Sequence, residues 1–567
     1  MDVVITYVNM HDPVWIKQYK ETFNTEPETR RYKEFGTIDL QVASIRKYMP
    51  WVDKIFIVVS SKSQLTTDQA IVVTHDQIIP KEYLPTFNSC TIELFLHKIP
   101  GLSDYFIYFN DDIFPVNYCR QDSFFDSKPV LCFKTLDSRP ENIYRMQCKN
   151  CADLARVLLN QQVTNVYVKP DHICLIHSKK VYEEVWKRAE HTLRDSITKK
   201  REPINLNQYL FVDYLYYSNQ CNIKRLNYAY VQTGKVSPEK MYNMITVSDY
   251  DLVCIHDNAE NNEVYYSMIK EGLKTNLREK TIDLVVPYVD NRDPQWISNY
   301  KKYVNKDLGY GSDEERFRSY DLFKYFFRGV SRYMKFIRKI HLVVASESQV
   351  PEWLNRDVVH VVTHDQFIPK EYLPVFNSCT IEMFMKDIPD LSNRFIYAND
   401  DVYAINPMIE QDFFEENIPI FGYREDSFNK NWAADYIRYN VYKLVTGSTE
   451  KKVYRLQHVF IPYLRSTLES CYKIYGRQMR DSITRVRDSK NLSQWLYTVY
   501  QLRVLKSRNR ALPHAKTRLS ASKIKYFDDD RLKAVCLNDT ELTTAKDVQV
   551  VEQVLQNKFP NKSIYEI

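Results

Sequence analysis

The sequence predicts an α/β protein of two homologous domains, each a mostly parallel sheet with flanking helices and a helical, Tyr-rich second part. Three observations carry this. Short continuous apolar runs alternate with segments of helical period, the signature of strands buried on both faces and separated by helices. Polar Asn and Asp residues follow directly on several of those runs. The whole pattern then recurs once along the chain. In the first half, Val3–Val8 reads as a buried strand and Trp15–Thr22 as a helix. Ile38–Tyr48 carries apolar residues at helical spacing. Lys54–Val59 and Ile71–Val73 are two further buried strands. Asn88 or Ser89 can cap a helix reaching Lys98, because either side chain accepts from free N–H groups. Tyr105–Phe109 is a fourth strand, ending at Asn110-Asp111-Asp112. In open parallel sheets ligands sit beyond the carboxyl ends of the strands, so Asn9, Asp12 and Asp111-Asp112 are placed to line one crevice.

The repeat sets the domain boundaries. Residues 74–112 and 363–401 are identical at 29 of 39 positions. DVVITYVNMHDPVW at 2–15 answers DLVVPYVDNRDPQW at 283–296, and VCIHD at 253–257 answers VCLND at 535–539. RDSITKKREPINLNQ at 194–208 answers RDSITRVRDSKNLSQ at 480–494. Domains at 1–275 and 281–567 follow, joined by a charged stretch that reads as a helix running into the next strand. Identity is patchy: 120–165 and 409–450 barely match. Core packing explains matching apolar blocks, but it rarely dictates a polar run such as Asn-Asp-Asp.

Composition excludes several functions. The 567 residues are 44% hydrophobic and 26% charged, which rules out a mostly disordered chain. With 10 Gly, and neither G-x-G-x-x-G nor G-x-x-x-x-G-K, the usual dinucleotide and P-loop fingerprints are missing. A net charge of +6 is too mild to argue for nucleic acid. No apolar run reaches the roughly 18 residues of a membrane span. Asp2 directly after Met1 gives no signal-peptide pattern. A cytoplasmic protein is expected, at most docked at the inner membrane face. Eleven Cys, eight of them before residue 281, favour reduced thiols over a disulfide framework. Cys148 and Cys151 form a CxxC without two further ligands nearby, so they read as ordinary thiols.

Four residue types recur at matching places in both halves. Asp111-Asp112 and Asp400-Asp401 end a strand as paired carboxylates, able to hold a hard divalent cation or act as a base. The plainer reading of each is a solvated turn. Glu93 and Glu382 lie within an otherwise apolar helix, where a carboxylate needs a partner or a task. A salt bridge to a core Arg is the structural alternative. His172 and His458 precede Arg201 and Arg487 by 29 residues each, with Asn205 and Asn491 four further on. His and Arg at fixed separation suit an anionic ligand. Together these groups fit phosphoryl or glycosyl transfer from a nucleotide sugar, and composition does not separate the two.

These blocks resemble the Stealth proteins, which include bacterial capsular polysaccharide phosphotransferases and an N-acetylglucosamine-1-phosphotransferase subunit. The first block resembles Asp2–Trp15 and Asp283–Trp296, the second 43–112 and 328–401. The third is similar to the His-to-Arg spacing, and the fourth to Cys536–Asp539 followed by Phe559–Glu566. The fourth is weak in the first half, at Cys254–Asp257. The resemblance implies transfer of a sugar 1-phosphate from a UDP-sugar to a glycan hydroxyl, releasing UMP, in capsule or other surface-polysaccharide synthesis. It implies Glu93, Asp112, His172 and Arg201 as one catalytic set and Glu382, Asp401, His458 and Arg487 as the other. Thr6, Asn9, Asp12, Asn88, Asn110, Asn205 and Asp257 are implied substrate contacts. So are Asp290, Asp293, Arg328, Asn377, Asn399, Asn491 and Asp539. Asp111, Asp112, Asp400 and Asp401 are expected to hold Mg2+ or Mn2+.

Each half departs from the pattern in a different place. Tyr7 and Tyr288 stand where the family has Trp, and Met10 and Asn291 where it has Gly. Thr6 becomes Pro287, and the family's Arg is kept at Arg328 but is Ala43 in the first half. Asn205 and Asn491 replace an Asp. Two active sites are therefore the leading expectation, with the halves forming an internal pseudo-dimer and associating peripherally with surface-glycan machinery. A metal-dependent glycosyltransferase releasing UDP is the second reading. A scaffold in which one half is non-catalytic is the third.

Overall fold

The computed structural model describes residues 1–567 except 29–31, 34, 138–139, 249, 259–262 and 305–316. It falls into two compact units, Met1–Arg278 and Glu279–Ile567. Each unit is built on a five-stranded sheet. In the first, Asp2–Thr6 is central and pairs in parallel with Ile55–Val59 on one side and Tyr105–Asn110 on the other. Ile71–Thr74 continues the parallel order at one edge, and Leu175–Ser178 closes the other edge antiparallel. The second unit repeats this order with Ile282–Pro287 at the centre, flanked by Ile337–Val344 and Arg394–Tyr397. Val359–Thr363 and antiparallel Ile461–Leu464 form its edges.

The apolar runs are explained by burial on both faces. Val3, Val4 and Ile5 are fully buried, as are Ile55, Ile57 and Val59 beside them. Burying each such side chain is worth about 1.5–3 kcal/mol, so the central strands anchor each unit. The helix Ile38–Tyr48 has the expected bounds and turns Ile38, Val42 and Ile45 onto the sheet. The helix before the fourth strand is shorter than expected. Ser89–Leu94 is α-helical, capped by Asn88, and Leu96–Lys98 is a separate 3-10 turn.

The second part of each half holds the expected helices but also short strands, which period-3.6 reasoning passed over. A hairpin, Phe133–Asp137 with Val166–Pro170, leads into His172, and Tyr423–Ser427 with Lys452–Leu456 leads into His458. A small sheet joins Ile113–Pro115 antiparallel to Leu252–His256, placing Cys254 opposite Ile113. In the second unit Cys536 lies opposite Val402 in the same way. These strands carry the fourth block back to the Asn-Asp-Asp turn. All eleven cysteines are free thiols, Cys148 and Cys151 buried among them.

The departure at Ala43 and Arg328 has a structural reason. Arg328 is buried, and its guanidinium donates to Glu566 at 2.7, 2.9 and 3.1 Å and to the Phe559 carbonyl at 2.8 Å. It ties the chain's last residues to the helix Phe323–Tyr333. In the first unit the helix Glu263–Leu277 is held instead by Lys47 and Tyr48, which donate to the Asn276 carbonyl at 2.9 and 2.8 Å. Losing both partners of a buried pair together avoids the cost of stranding one charge. Ala43 therefore marks a different anchor for the terminal helix rather than damage to a site. Arg328, expected among the substrate contacts, is corrected to a strut.

Candidate active site

The polar groups gather where the parallel strands end. Asp112 follows Tyr105–Asn110 in a two-residue turn before Ile113–Pro115. Its Oδ2 meets His172 Nε2 at 3.4 Å and accepts from Cys254 Sγ at 3.8 Å, while its Oδ1 is buried without a partner. The second unit repeats the cluster. Asp401 Oδ2 lies 3.9 Å from His458 Nε2 and accepts from Cys536 Sγ at 3.4 Å, and its Oδ1 is again buried and unpartnered. The Asn399 amide donates to His458 Nε2 at 3.2 Å, so that nitrogen accepts, unlike its counterpart at Asp112.

Burial alone would lower the His172 pKa, but the hydrogen bond and charge of Asp112 outweigh it and raise it. Burial of Cys254 and Cys536, reinforced by the neighbouring Asp, pushes both thiols up, so they are neutral S–H donors holding the carboxylates. The two cysteines were missed in sequence. Their signal was present in the repeated VCIHD and VCLND blocks, of which only the Asp had been singled out.

Glu93 is buried on Ser89–Leu94 and receives hydrogen bonds from Tyr108 Oη at 3.3 Å and Gln208 N at 3.3 Å. Burial raises its pKa to about 7, against the charge of Arg201, which acts from a distance. Glu382 repeats this with Tyr397 at 3.2 Å and Gln494 N at 2.9 Å, and burial raises it too. The supporting Tyr and Gln also recur in the aligned blocks. A carboxylate poised near neutrality beside the Asp–His cluster has the properties of a general base.

Arg201 and Arg487 lie in the loops that close the sites. Arg201 donates Nε and Nη2 to Gln147 Oε1 at 2.9 and 2.7 Å, and Arg487 donates Nη2 to Ser378 Oγ at 2.6 Å. The loops are locked to the Glu-bearing helices by paired amides. Asn88 Nδ2 donates to Asn205 Oδ1 at 3.0 Å, and Asn377 to Asn491 at the same distance. Asn205 also donates to the Ser196 carbonyl at 2.6 Å, as Asn491 does to Ser482. All four are almost fully buried. These four, expected to touch substrate, fix the Arg loop against the Glu helix in this structure.

The other expected contacts divide similarly. Asp12 caps Pro13–Phe23 and is held by Gln64 and Ser63, each at 2.8 Å. Asp293 caps Pro294–Tyr303. The Asn9 side chain accepts from His11 N at 2.9 Å within the same turn, and Asp290 is forked by Arg292. Carboxylates and amides so occupied shape the strand-end turn. Thr6 shares a hydrogen bond with Tyr108 at 2.7 Å, one step from Glu93. Asn110 ends its strand, and its carbonyl accepts from Gln41 at 2.8 Å. Asp257 accepts from Thr233 at 2.8 Å, and Asp539 is forked by Arg318 at 2.8 and 3.0 Å.

In the second unit a cleft of about 1090 Å³ shows which groups converge. Glu382, Asn399, Asp400, Asp401, His458 and Arg487 all line it, as do Asn377 and Asp539. Asp290, Asp293, Arg328 and Asn491 do not.

The residues present fit a divalent cation in part. The Oδ1 of Asp112 and of Asp401 are buried oxygen donors with no hydrogen-bond partner. Burial, then the charge of Asp401, pushes Asp400 up to about 7, the crowding a cation relieves. Asp112, His172 and Cys254, and likewise Asp401, His458 and Cys536, bring their donor atoms within 4.8 Å of one another. A thiol and an imidazole suit Mg2+ poorly and Mn2+ better, so the fit to Mg2+ rests on the carboxylates alone.

Fold and site together define a duplicated α/β protein with one Glu–Asp–His–Arg cluster at the carboxyl end of each parallel sheet. The model for Stealth protein CR2, conserved region 2, matches residues 31–132 and again 316–420. The resemblance drawn from the motifs therefore holds in both halves. Capsular polysaccharide phosphotransferase WcwK of Streptococcus pneumoniae is 28% identical over 326 residues, covering 50% of this chain and 98% of that protein. Exopolysaccharide phosphotransferase cps2G of Lactiplantibacillus plantarum is 27% identical over 332 residues, covering 50% and 96%. About half of this chain thus spans almost the whole of each relative. Among solved structures, the apo bifunctional glycosyltransferase WbbM aligns over 89% of this chain and 95% of its own at 10% identity. Its TM-score is 0.30.

Proposed function

We propose that each half transfers a sugar 1-phosphate from a UDP-sugar to a hydroxyl of a glycan, in the synthesis of a surface polysaccharide. The observation that carries this reading is the same Glu–Asp–His–Arg cluster built twice at the strand ends, in a chain whose relatives are named polysaccharide phosphotransferases. In the reaction the acceptor oxygen attacks the β-phosphorus. The bond from that phosphorus to the bridging oxygen breaks, UMP leaves, and a phosphodiester forms. Glu93 or Glu382 takes the hydroxyl proton. His172 with Arg201, and His458 with Arg487, bind the diphosphate oxygens, where preorganised charge lowers the barrier. Asp111 with Asp112, and Asp400 with Asp401, would hold Mg2+ or Mn2+, which when bound neutralises diphosphate charge.

The test is the nucleotide released. Purified protein given a UDP-sugar panel and short glycan acceptors should produce UMP, and UDP would assign a glycosyltransferase. EDTA should abolish turnover, with Mn2+ restoring it at least as well as Mg2+. Turnover untouched by EDTA would show that no divalent cation takes part.

The raised pKa of Glu93 gives a pH prediction. As a base it must be ionised, so a His458→Ala protein, running on the first site alone, should lose turnover as pH falls below about 7. The effect on stability has the opposite sense. The folded state favours the proton, so this stabilisation is present at low pH and is lost as pH rises from 4.5 to about 7. At about 1.4 kcal/mol per pH unit, Glu93→Gln should be roughly 3 kcal/mol more stable than wild type at pH 8, and inactive in the first half. Tyr108 can turn to accept from the new amide. Thermal unfolding at pH 5 and 8 measures the difference. Equal melting at both pH values would show that Glu93 is not held near neutrality.

A further inference from the structure

The two sites differ at one helix. In the first unit Asn150, on Ile143–Leu158, donates to the Pro203 carbonyl at 3.0 Å. In the second, Asn440, on Ala433–Thr446, donates to the Ser489 carbonyl at 2.8 Å. Pro203 and Ser489 both stand two residues after the site Arg, so this shared anchor aligns the helices residue by residue. Gln147, which forks Arg201, then corresponds to Ile437, and Cys148 corresponds to Arg438. One unit thus clamps its Arg with an amide. The other removes the clamp and adds a second guanidinium.

Arg438 is built into the cleft. Its guanidinium stacks on Trp495 at 4.4 Å, and both residues line the cleft with Arg487 and His458. Its Nη1 donates to Asp435 at 2.7 Å, but its Nε is buried and has no partner. Asp435 cannot balance it. That carboxylate, fully buried, already accepts two bonds from Arg455 at 2.9 Å each and one from Asn429 N at 2.9 Å. Across the cleft, six Lys and Arg face four Asp and Glu. A buried guanidinium N–H without an acceptor is a cost that an anionic ligand removes. Trp432, 54% exposed at the same cleft with Arg455 over its ring at 4.8 Å, offers a flat apolar face beside this charge.

We infer that the second half takes an acceptor glycan carrying an anionic group, which Arg438 recognises. This rests on the transferase reading of both halves. It also suggests an order: the second half acts on a glycan that an earlier transfer has made anionic, such as one bearing a phosphodiester.

The test uses full-length protein with His172→Ala, so that turnover reports the second site. Matched oligosaccharide acceptors would be neutral, phosphodiester-bearing or uronic-acid-bearing. The expected kcat/KM preference for an anionic acceptor over the neutral one is about tenfold or more, and Arg438→Gln brings the ratio near parity. The two anionic arms separate phosphate from carboxylate as the group recognised. Binding of the same three acceptors, measured calorimetrically without donor, gives a readout independent of turnover. There Arg438→Gln should weaken only anionic acceptors. Asp435 keeps Arg455 in that variant, so a folded protein is expected, and circular dichroism checks it. Equal binding of neutral and anionic acceptors, or an anionic preference surviving Arg438→Gln, would overturn the inference. Binding without turnover by either half would sink the transferase reading while leaving the recognition by Arg438 intact.

Discussion

Replacing His172 and His458 together by Ala is expected to lower turnover by about a thousandfold or more, the scale of removing both acid–base and phosphate-binding roles. Each single variant should retain the activity of the other half. The reason is geometric. Each His meets the Asp of its own unit, His172 at 3.4 Å from Asp112 and His458 at 3.9 Å from Asp401, so the Asp–His pair of each site is made within one unit. Kinetics of the two singles and the double measure this directly. If one single variant is as dead as the double, only one half turns over, and the scaffold reading applies to the other. If the double stays active, the clusters are not the reacting centres.

The second large effect is on stability. Arg328→Ala should destabilise the end of the second unit by about 3–5 kcal/mol, because it strands Glu566 in the interior. The two side chains are 9% and 3% exposed, so water cannot take over the missing bonds. Replacing both by apolar residues of similar volume should cost far less, as the first unit does with Ala43. Amide exchange in the helix Ala545–Lys558 reports the effect, and the single variant should accelerate it by about two to three orders of magnitude. An unchanged exchange rate would show that the pair does not anchor the terminal segment. The same variant should leave the polar cluster in place, since Arg328 does not line the cleft.

Much of this architecture is legible in the sequence because the central strands are buried on both faces. Burial demands continuous apolar runs, and Val3–Ile5 or Ile55–Val59 cannot be mistaken for half-exposed strands. The Glu, Asp, His and Arg of each cluster were legible for a different reason. Duplication compares the chain with itself, and polar residues kept at matching places stand out. What the comparison could not tell was which polar residues face a ligand and which hold others. Asn205 and Asn491 repeat as faithfully as Arg201 and Arg487, yet they lock a loop through buried amide bonds. Short strands such as Leu252–His256 were hidden among Tyr-rich helical segments, and with them the approach of Cys254 to Asp112. The difference between Gln147 and Arg438 lay in the poorly matching stretch, where alignment needs the Asn150 and Asn440 hydrogen bonds to fix the register.

Transfer of the donor's β-phosphorus to the glycan separates this reaction from transfer of the sugar alone. The most direct measurement uses a UDP-sugar labelled with 32P at the β-phosphate. Label is expected in the glycan, in a diester resistant to phosphatase, with unlabelled UMP released in equal amount. Label remaining with the nucleotide, as UDP, would contradict it and assign transfer of the sugar alone.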